Sequence, residues 1–175
     1  KLKGESDAVL TLTAGGAQGY WPAKPLFLIL SGNFSEYHGS FYLNGSLILL
    51  NTPTAFGCEA DSAKANVYTI YTDTTMAIAA DKSASMSRTR GITIAANRKL
   101  TLTTTNDFDG VSYSEYTVPF PIAGDASTTL VKSGEGLVTL DCACNVGTLR
   151  VDAGTLVFGA NFDTKVFGTL NSTVT

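Results

Sequence analysis

The feature that most constrains the fold of this chain is a phrase that the sequence contains twice. The two copies are Gly39 to Leu49 and Gly147 to Phe158. The first begins with Gly-Ser and the second with Gly-Thr. Each has two short apolar runs with a turn rich in Gly, Asn or Asp between them. Self-similarity of this kind is typical of architectures in which each copy stacks on its neighbours to bury a shared core. The sequence therefore predicts an elongated β-structure with repeat copies at 26–57 and 129–168.

The composition favours strands over helices. Charged residues make up 15% of the chain and apolar residues 44%, whereas ordinary domains carry about 25% charged residues. The sequence is rich in Thr, Ser and Val, and β-branched residues suit the pleated surface of a sheet. Residues 1–175 are predicted to form a single all-β segment.

Charge and hydropathy exclude two classes of partner. The net charge is −3, and the basic residues form no stripe of the kind that nucleic-acid binding requires. No apolar run approaches the roughly 20 residues of a membrane helix, so no membrane insertion of this segment is expected. Because the chain opens on Lys1 and its strand pattern runs on to Leu170, we expect it to be part of a longer secreted polypeptide.

Short apolar runs divided by Gly, Asn or Asp fit two folds, an antiparallel β-sandwich and a parallel β-helix. The duplicated phrase and the scarcity of tight hairpin turns favour the β-helix. A short helix is predicted over Glu59 to Asn66. The residues predicted to stack inward in columns are Leu28 and Leu30, Leu47 and Leu49, Leu100 and Leu102, Leu137 and Leu140, and Leu156 and Phe158.

The second copy resembles the autotransporter-associated β-strand repeat. That family runs L-x-K-x-G-x-G-x-L-x-L, as in Leu130 to Leu140 here, and then G-x-x-x-V-x-x-G-x-L, as in the segment that opens on Gly147. Asn145 stands where the family has a turn Asn, and 28–57 is similar to another copy. The turn Asp141 to Cys144 and a longer aromatic segment, 108–122, depart from the family pattern.

The resemblance implies a right-handed parallel β-helix in a secreted passenger or surface protein, usually of Gram-negative bacteria, with no catalytic residues in the repeat. We therefore expect a non-catalytic, extracellular structural or adhesive segment, such as a surface stalk, an adhesin or a filament subunit. Its expected partners are flanking repeats or neighbouring copies of the same protein, together with surface glycans or host proteins. The alternative is a polysaccharide-active enzyme or a carbohydrate-binding module on the same scaffold.

The residues that bear chemistry do not predict catalysis. His38 is the one histidine, and the chain has no G-x-S-x-G elbow for a hydrolytic nucleophile. Acid–base cleavage of a polysaccharide needs carboxylates that converge on one groove, for which Asp107, Asp109, Glu115 and Asp125 are the candidates. Asp107 and Asp109 also match a pattern that can ligate calcium, although D-x-D-G is more typical of a turn. No enzyme activity, metal or cofactor is predicted.

The predicted binding residues are Tyr113, Tyr116 and Phe120. They lie close together in the segment 108–122, which departs from the regular strand pattern. Loops held by a rigid scaffold often carry function, and exposed aromatic rings suit sugars or protein partners. The competing interpretation is that these rings pack against the core.

The chain has three cysteines, Cys58, Cys142 and Cys144. An odd number cannot all pair within the chain, so a fold built on disulfides is not predicted. Packing as small apolar residues in or near the core is favoured. A bridge from Cys58 to Cys142 or Cys144 is the alternative. No histidine accompanies them, so zinc is not expected.

Overall fold

A computed structural model describes residues 3–4, 8–14, 27–45, 47–56, 66–108, 111–163 and 167–172. These residues form short strands and one short helix. In chain order they are β1 Lys3–Gly4, β2 Val9–Ala14, β3 Phe27–Leu30, β4 Glu36–Tyr37, β5 Ser40–Gly45, β6 Leu47–Leu50, β7 Asn66–Ile70, β8 Thr74–Ile78, α1 Ala80–Ser83, β9 Gly91–Ile94, β10 Lys99–Thr103, β11 Thr105–Phe108, β12 Val111–Tyr113, β13 Glu115–Val118, β14 Ile122–Ala123, β15 Thr129–Ser133, β16 Leu137–Leu140, β17 Cys144–Val151, β18 Thr155–Phe158 and β19 Phe167–Ser172.

Most of the strands belong to three ladders of parallel pairs. The first ladder runs β2, β5, β7, β9, β14 and the start of β17. The second runs β3, β6, β8, β10, β15, the end of β17 and β19. The third runs β13, β16 and β18. Along the chain, a strand of the first ladder is followed by a strand of the second. Each new strand pairs in parallel with the preceding strand of its own ladder.

The all-β prediction is therefore confirmed, and the parallel pairing does not fit the antiparallel sandwich that the sequence left open. Parallel neighbours cannot be joined by a tight hairpin and need a longer connection. Here the chain supplies that connection by passing through another ladder. Among the described strands, β11 and β12 form an antiparallel pair.

Parallel register stacks equivalent side chains into inward columns. In the first ladder one column consists of Leu10, Phe41, Tyr68, Ile92, Ile122 and Cys144. In the second ladder Leu100, Leu130 and Leu149 are in register and buried. Each large apolar side chain that is fully buried contributes about 1.5–3 kcal/mol, so these columns form the core.

The register of β6 differs by one residue from the predicted column. Ile48 and Leu50, rather than Leu47 and Leu49, are in register with Leu28 and Leu30. Leu49 is nevertheless buried. A strand whose residues are all apolar does not reveal which face is inward, and a shift of one residue exchanges the two faces.

The third ladder corrects a second predicted pair. Val138 and Leu140 are buried, whereas Leu137 is partly exposed. Leu156 and Phe158 are in register with Val138 and Leu140, as their predicted column positions require. Phe158 is 46% exposed, because among the described strands β18 pairs with β16 alone.

The short helix α1 was not predicted at its position. It contacts β13, and the hydroxyl of Ser83 accepts a hydrogen bond from the Thr117 N–H at 3.3 Å. The helix predicted over Glu59 to Asn66 lies outside the described residues, apart from Asn66, which begins β7. No helix among the described ranges has the length and apolar character needed to span a membrane.

The segment 108–122 is less of an excursion than predicted. Its β13 and β14 join the third and first ladders in regular parallel register. The irregular part is the β11–β12 hairpin. Tyr116 and Val118 alternate inward along β13, and both belong to core columns of the third ladder.

Candidate functional site

The three aromatic residues predicted to bind a partner are core residues. Tyr113 is 1% exposed, Tyr116 is 2% exposed and Phe120 is fully buried. In this arrangement they do not form the exposed aromatic surface that the sequence led us to expect. The competing interpretation, packing against the core, describes where the structure puts them.

Their contacts explain the burial. The Tyr116 hydroxyl donates a hydrogen bond to the Thr103 carbonyl at 2.9 Å, and burial raises the pKa of Tyr116 above its ordinary range. The ring of Phe120 packs on that of Phe56, with 4.4 Å between centroids. Buried tyrosines need a partner for the hydroxyl, and Tyr116 finds it on β10.

A shallow cleft of about 430 Å³ lies beside these residues, between α1, β12 and β13. Hydroxyl groups dominate its lining, from Ser83, Ser112, Ser114, Thr117 and Thr139. The hydroxyls of Ser112 and Ser114 are 3.0 Å apart and share a hydrogen bond. Glu115 is the one carboxylate among the described lining residues. The cleft thus offers hydroxyl groups together with one acidic side chain.

A second cleft of about 460 Å³ shares Ser114 with the first and includes Thr104, Thr105 and Glu135. Among the described residues, the two linings include hydroxyl groups and the carboxylates Glu115 and Glu135. These two clefts are suited to hydrogen bonding.

Two other carboxylates brace turns. Asp125 accepts hydrogen bonds from the backbone N–H and the hydroxyl of Ser127, and these bonds lower the pKa of Asp125. Asp141 accepts from the backbone and side-chain amides of Asn161 and from Arg88 at 3.0 Å. The bonds from Asn161 and then from Arg88 lower the pKa of Asp141. Both carboxylates therefore hold the chain where it turns.

The predicted calcium pattern falls outside the described structure, because Asp109 and the side chain of Asp107 are not among the described positions. Within the residues that are described, no group of three His, Cys, Asp or Glu side chains is placed to hold a metal ion.

The cysteines of the Asp141 to Cys144 turn are buried free thiols. Burial raises the pKa of Cys142 and of Cys144 to about 12, so both remain protonated and unreactive near neutral pH. Their packing matches the favoured interpretation of small core residues. Cys58 lies outside the described residues, and the pairing proposed for it stays a prediction.

Two other aromatic residues form a pair on the outer face of the first ladder. Tyr71 is 49% exposed and its ring meets that of Tyr42 edge to face, with centroids 5.0 Å apart and planes at 83°. Sequence reasoning missed this pair. The signal was the alternation in β5, where Tyr42 separates the buried Phe41 and Leu43 and must therefore point outward.

In comparisons with known proteins, no family model, curated protein or solved structure matches this chain. Inference about function therefore starts from the fold and these surfaces.

Proposed function

We propose that this chain is a non-catalytic structural or adhesive segment of an extracellular or cell-surface protein, built as a right-handed parallel β-helix. The observation that carries the proposal is the register of the three ladders. Equivalent residues stay aligned from β2 to β17 in the first ladder and from β3 to β19 in the second. A chain that winds in this way gains length with each turn and buries a continuous core, which suits a stalk or a display scaffold.

The resemblance to the autotransporter-associated repeat supports the same proposal through particular residues. Lys132 and Gly134 of the K-x-G pattern form one turn, in which the lysine ammonium donates to the Gly134 carbonyl at 2.6 Å. Val138 and Leu140 occupy the two apolar positions that close the pattern, and both are buried. The pattern therefore has a physical meaning in this chain, a clamped turn followed by a strand.

The proposed partners are flanking repeats or neighbouring copies of the same protein. Phe158 and Val157 are exposed on β18, although Phe158 continues the buried column of Val118 and Leu140. A further strand beside β18 would bury this surface. The enzyme alternative is less favoured, because the described residues of the two clefts combine hydroxyls with Glu115 and Glu135 and include no basic side chain.

Thiol pairing tests the winding. Thr117 and Thr139 are direct register partners on the outer face of the third ladder, and parallel neighbours lie about 4.8 Å apart, within reach of a disulfide. We expect Thr117→Cys with Thr139→Cys to cross-link rapidly under mild oxidation, as mapped by mass spectrometry of peptides. The buried Cys142 and Cys144 should not compete.

The matched control joins Thr93→Cys with Thr139→Cys, which lie in different ladders. The stacked arrangement would be contradicted if the two pairs cross-linked equally. It would also be contradicted if the pair at 117 and 139 did not cross-link.

Labelling of intact cells tests the location. A membrane-impermeant amine reagent should modify Lys82 and Lys99, whose side chains are 37% and 42% exposed, without cell lysis. Lys132 is 1% exposed and should stay unlabelled, which makes it the internal control for an intact fold. Labelling of Lys82 and Lys99 only after lysis would overturn the extracellular assignment.

A further inference from the structure

The outer face of the first ladder carries a small aromatic platform. Tyr42 lies in register with Thr11 on one side and Thr69 on the other, so its ring stands in a row of threonines on the solvent face. Tyr71 follows β7 directly, and its backbone N–H donates to the Leu43 carbonyl at 3.4 Å. This bond places the Tyr71 ring beside that of Tyr42.

The two rings leave surface open to a ligand. An edge-to-face contact occupies one face of one ring, and the remaining faces are not covered by the pair. Tyr71 is 49% exposed, and Tyr42 is partly exposed. Side-chain hydrogen bonding to Tyr42, with smaller effects of burial and of the neighbouring phenol, raises the pKa of Tyr71. The edge-to-face contact sets the orientation of one ring relative to the other.

Polar groups without formal charge surround the rings. The Thr72 hydroxyl donates to the Asn44 amide oxygen at 3.1 Å on the exposed surface, and Thr69 lies next to Tyr42. Asp73, two residues beyond Tyr71, has its carboxylate 3.8 Å from the ammonium of Lys99, and the two charges compensate each other. Among the described residues, the platform therefore consists of two aromatic rings at 83° to each other, with amide and hydroxyl groups at its border.

From this geometry we infer that Tyr42 and Tyr71 form a binding platform for a neutral saccharide chain, with Asn44 and Thr72 hydrogen-bonding to its hydroxyls. The C–H groups on one face of a sugar ring are weakly positive and complement the negative face of a tyrosine ring. A neutral glycan also matches the absence of formal charge among the six residues Thr11, Tyr42, Asn44, Thr69, Tyr71 and Thr72.

A protein partner fits this surface less well. A stable protein interface covers about 800 Å² on each partner and has an apolar centre. Beyond the two tyrosines the row continues with Thr11, Thr69 and Thr93, which do not extend an apolar centre. The saccharide deepens the adhesive part of the proposed function and rests on it, because the ladder is what presents the rings.

The experiment measures binding of cellohexaose, maltohexaose and xylohexaose to the purified full chain by NMR titration. Two partly exposed rings predict weak binding, with a Kd of about 1 mM, for at least one of them. Tyr71→Ala and Tyr42→Ala should each weaken that binding by about tenfold or more. Phe158→Ala is the matched control, because it removes an aromatic ring of similar exposure, 46%, outside the platform, and should leave binding unchanged.

Several results would overturn the inference. These are no binding of any of the three sugars at about ten times the expected Kd, equal weakening by Phe158→Ala, or preference for dextran sulfate with strong salt dependence. Self-association that Tyr71→Ala abolishes would instead assign the platform to a second copy of the chain. The purified chain is tested regardless of its location in the cell, so a failure here with successful cross-linking and surface labelling removes the saccharide and leaves the proposed function standing.

Discussion

Replacing Phe41 by alanine should lower the free energy of unfolding by about 3–5 kcal/mol. Phe41 is fully buried in the first ladder. Its ring stacks on that of Tyr68 with centroids 4.7 Å apart and planes at 19°, and it meets the rings of Tyr37 at 4.7 Å and Phe34 at 5.9 Å. The truncation leaves a cavity among rigid rings that cannot collapse to fill it. Urea denaturation followed by far-ultraviolet circular dichroism measures the change.

Phe158→Ala provides the control for this prediction as well. The Phe158 ring is 46% exposed and contacts Phe162 with centroids 4.3 Å apart, so its loss should cost about 1 kcal/mol or less. If Phe41→Ala is no more destabilising than Phe158→Ala, the aromatic column around Phe41 is not a stabilising core of the first ladder.

Strand positions could be predicted from the sequence because short apolar runs and turn residues are local signals. The short apolar runs at 91–94 and 137–140 coincide with β9 and β16. The direction of pairing was a less direct inference. It followed from the repeated phrase and the scarcity of tight hairpin turns, because a copy about 110 residues downstream requires stacking between distant segments.

The inward faces could be predicted only where polar residues alternate with apolar ones. In β10 Leu100 and Leu102 alternate with threonines, and both are buried as predicted. In β6 four consecutive apolar residues show no alternation, and the register with β3 differs by one residue from the predicted column. In β16 Leu137 and Val138 are both apolar, and the register of β16 with β13 aligns Val138 with the buried Tyr116.

For a related reason, the sequence did not show which aromatic residues are exposed. Tyr113, Tyr116 and Phe120 stood out because aromatic residues crowd one segment, but density of aromatics does not distinguish a surface from a core. Tyr42 and Tyr71 are separated by a large stretch of chain and become neighbours only through the pairing of β5 with β7. A contact of that kind follows from the register, which the sequence did not specify.

One charged residue in the core has a role that its sequence motif alone did not explain. Lys132 is 1% exposed and lies in an inward column between Leu102 and Val151. Its ammonium donates hydrogen bonds to the carbonyls of Ser133 at 2.8 Å, Gly134 at 2.6 Å and Ala153 at 3.0 Å. Burial lowers the pKa of Lys132, and the charge of Glu135 opposes that shift. The lysine thus joins two successive turns of the chain.

The two turns are shaped to receive this ammonium. Gly134 and Gly154 have φ angles of +77° and +71°, which other L-residues adopt only with strain. A Cβ on Gly154 would also collide with the carbonyl oxygen of Gly134. The turns therefore approach closely and direct carbonyl groups toward Lys132, so the lysine and the two glycines act together.

Lys132→Met should therefore destabilise the chain by about 3 kcal/mol, because it keeps the apolar stem and leaves three partly buried carbonyl groups without their charged donor. Urea denaturation gives the size of the effect. Hydrogen exchange shows where the chain is destabilised. The Thr155 N–H donates to the Gly136 carbonyl at 3.0 Å, and the Asp152 N–H donates to the Lys132 carbonyl at 2.8 Å. Both amides should lose protection before the amides of the first ladder do.

Lys99→Met is the matched control, since Lys99 belongs to the neighbouring strand β10 and its ammonium lies 3.8 Å from the Asp73 carboxylate at the surface. Exposed pairs of this kind contribute about 0–1 kcal/mol. Buried charges can sometimes be replaced by apolar residues without loss. If Lys132→Met equals the original chain in stability and in the protection of Thr155, packing of the stem is what matters, and the ammonium does not hold the two turns together.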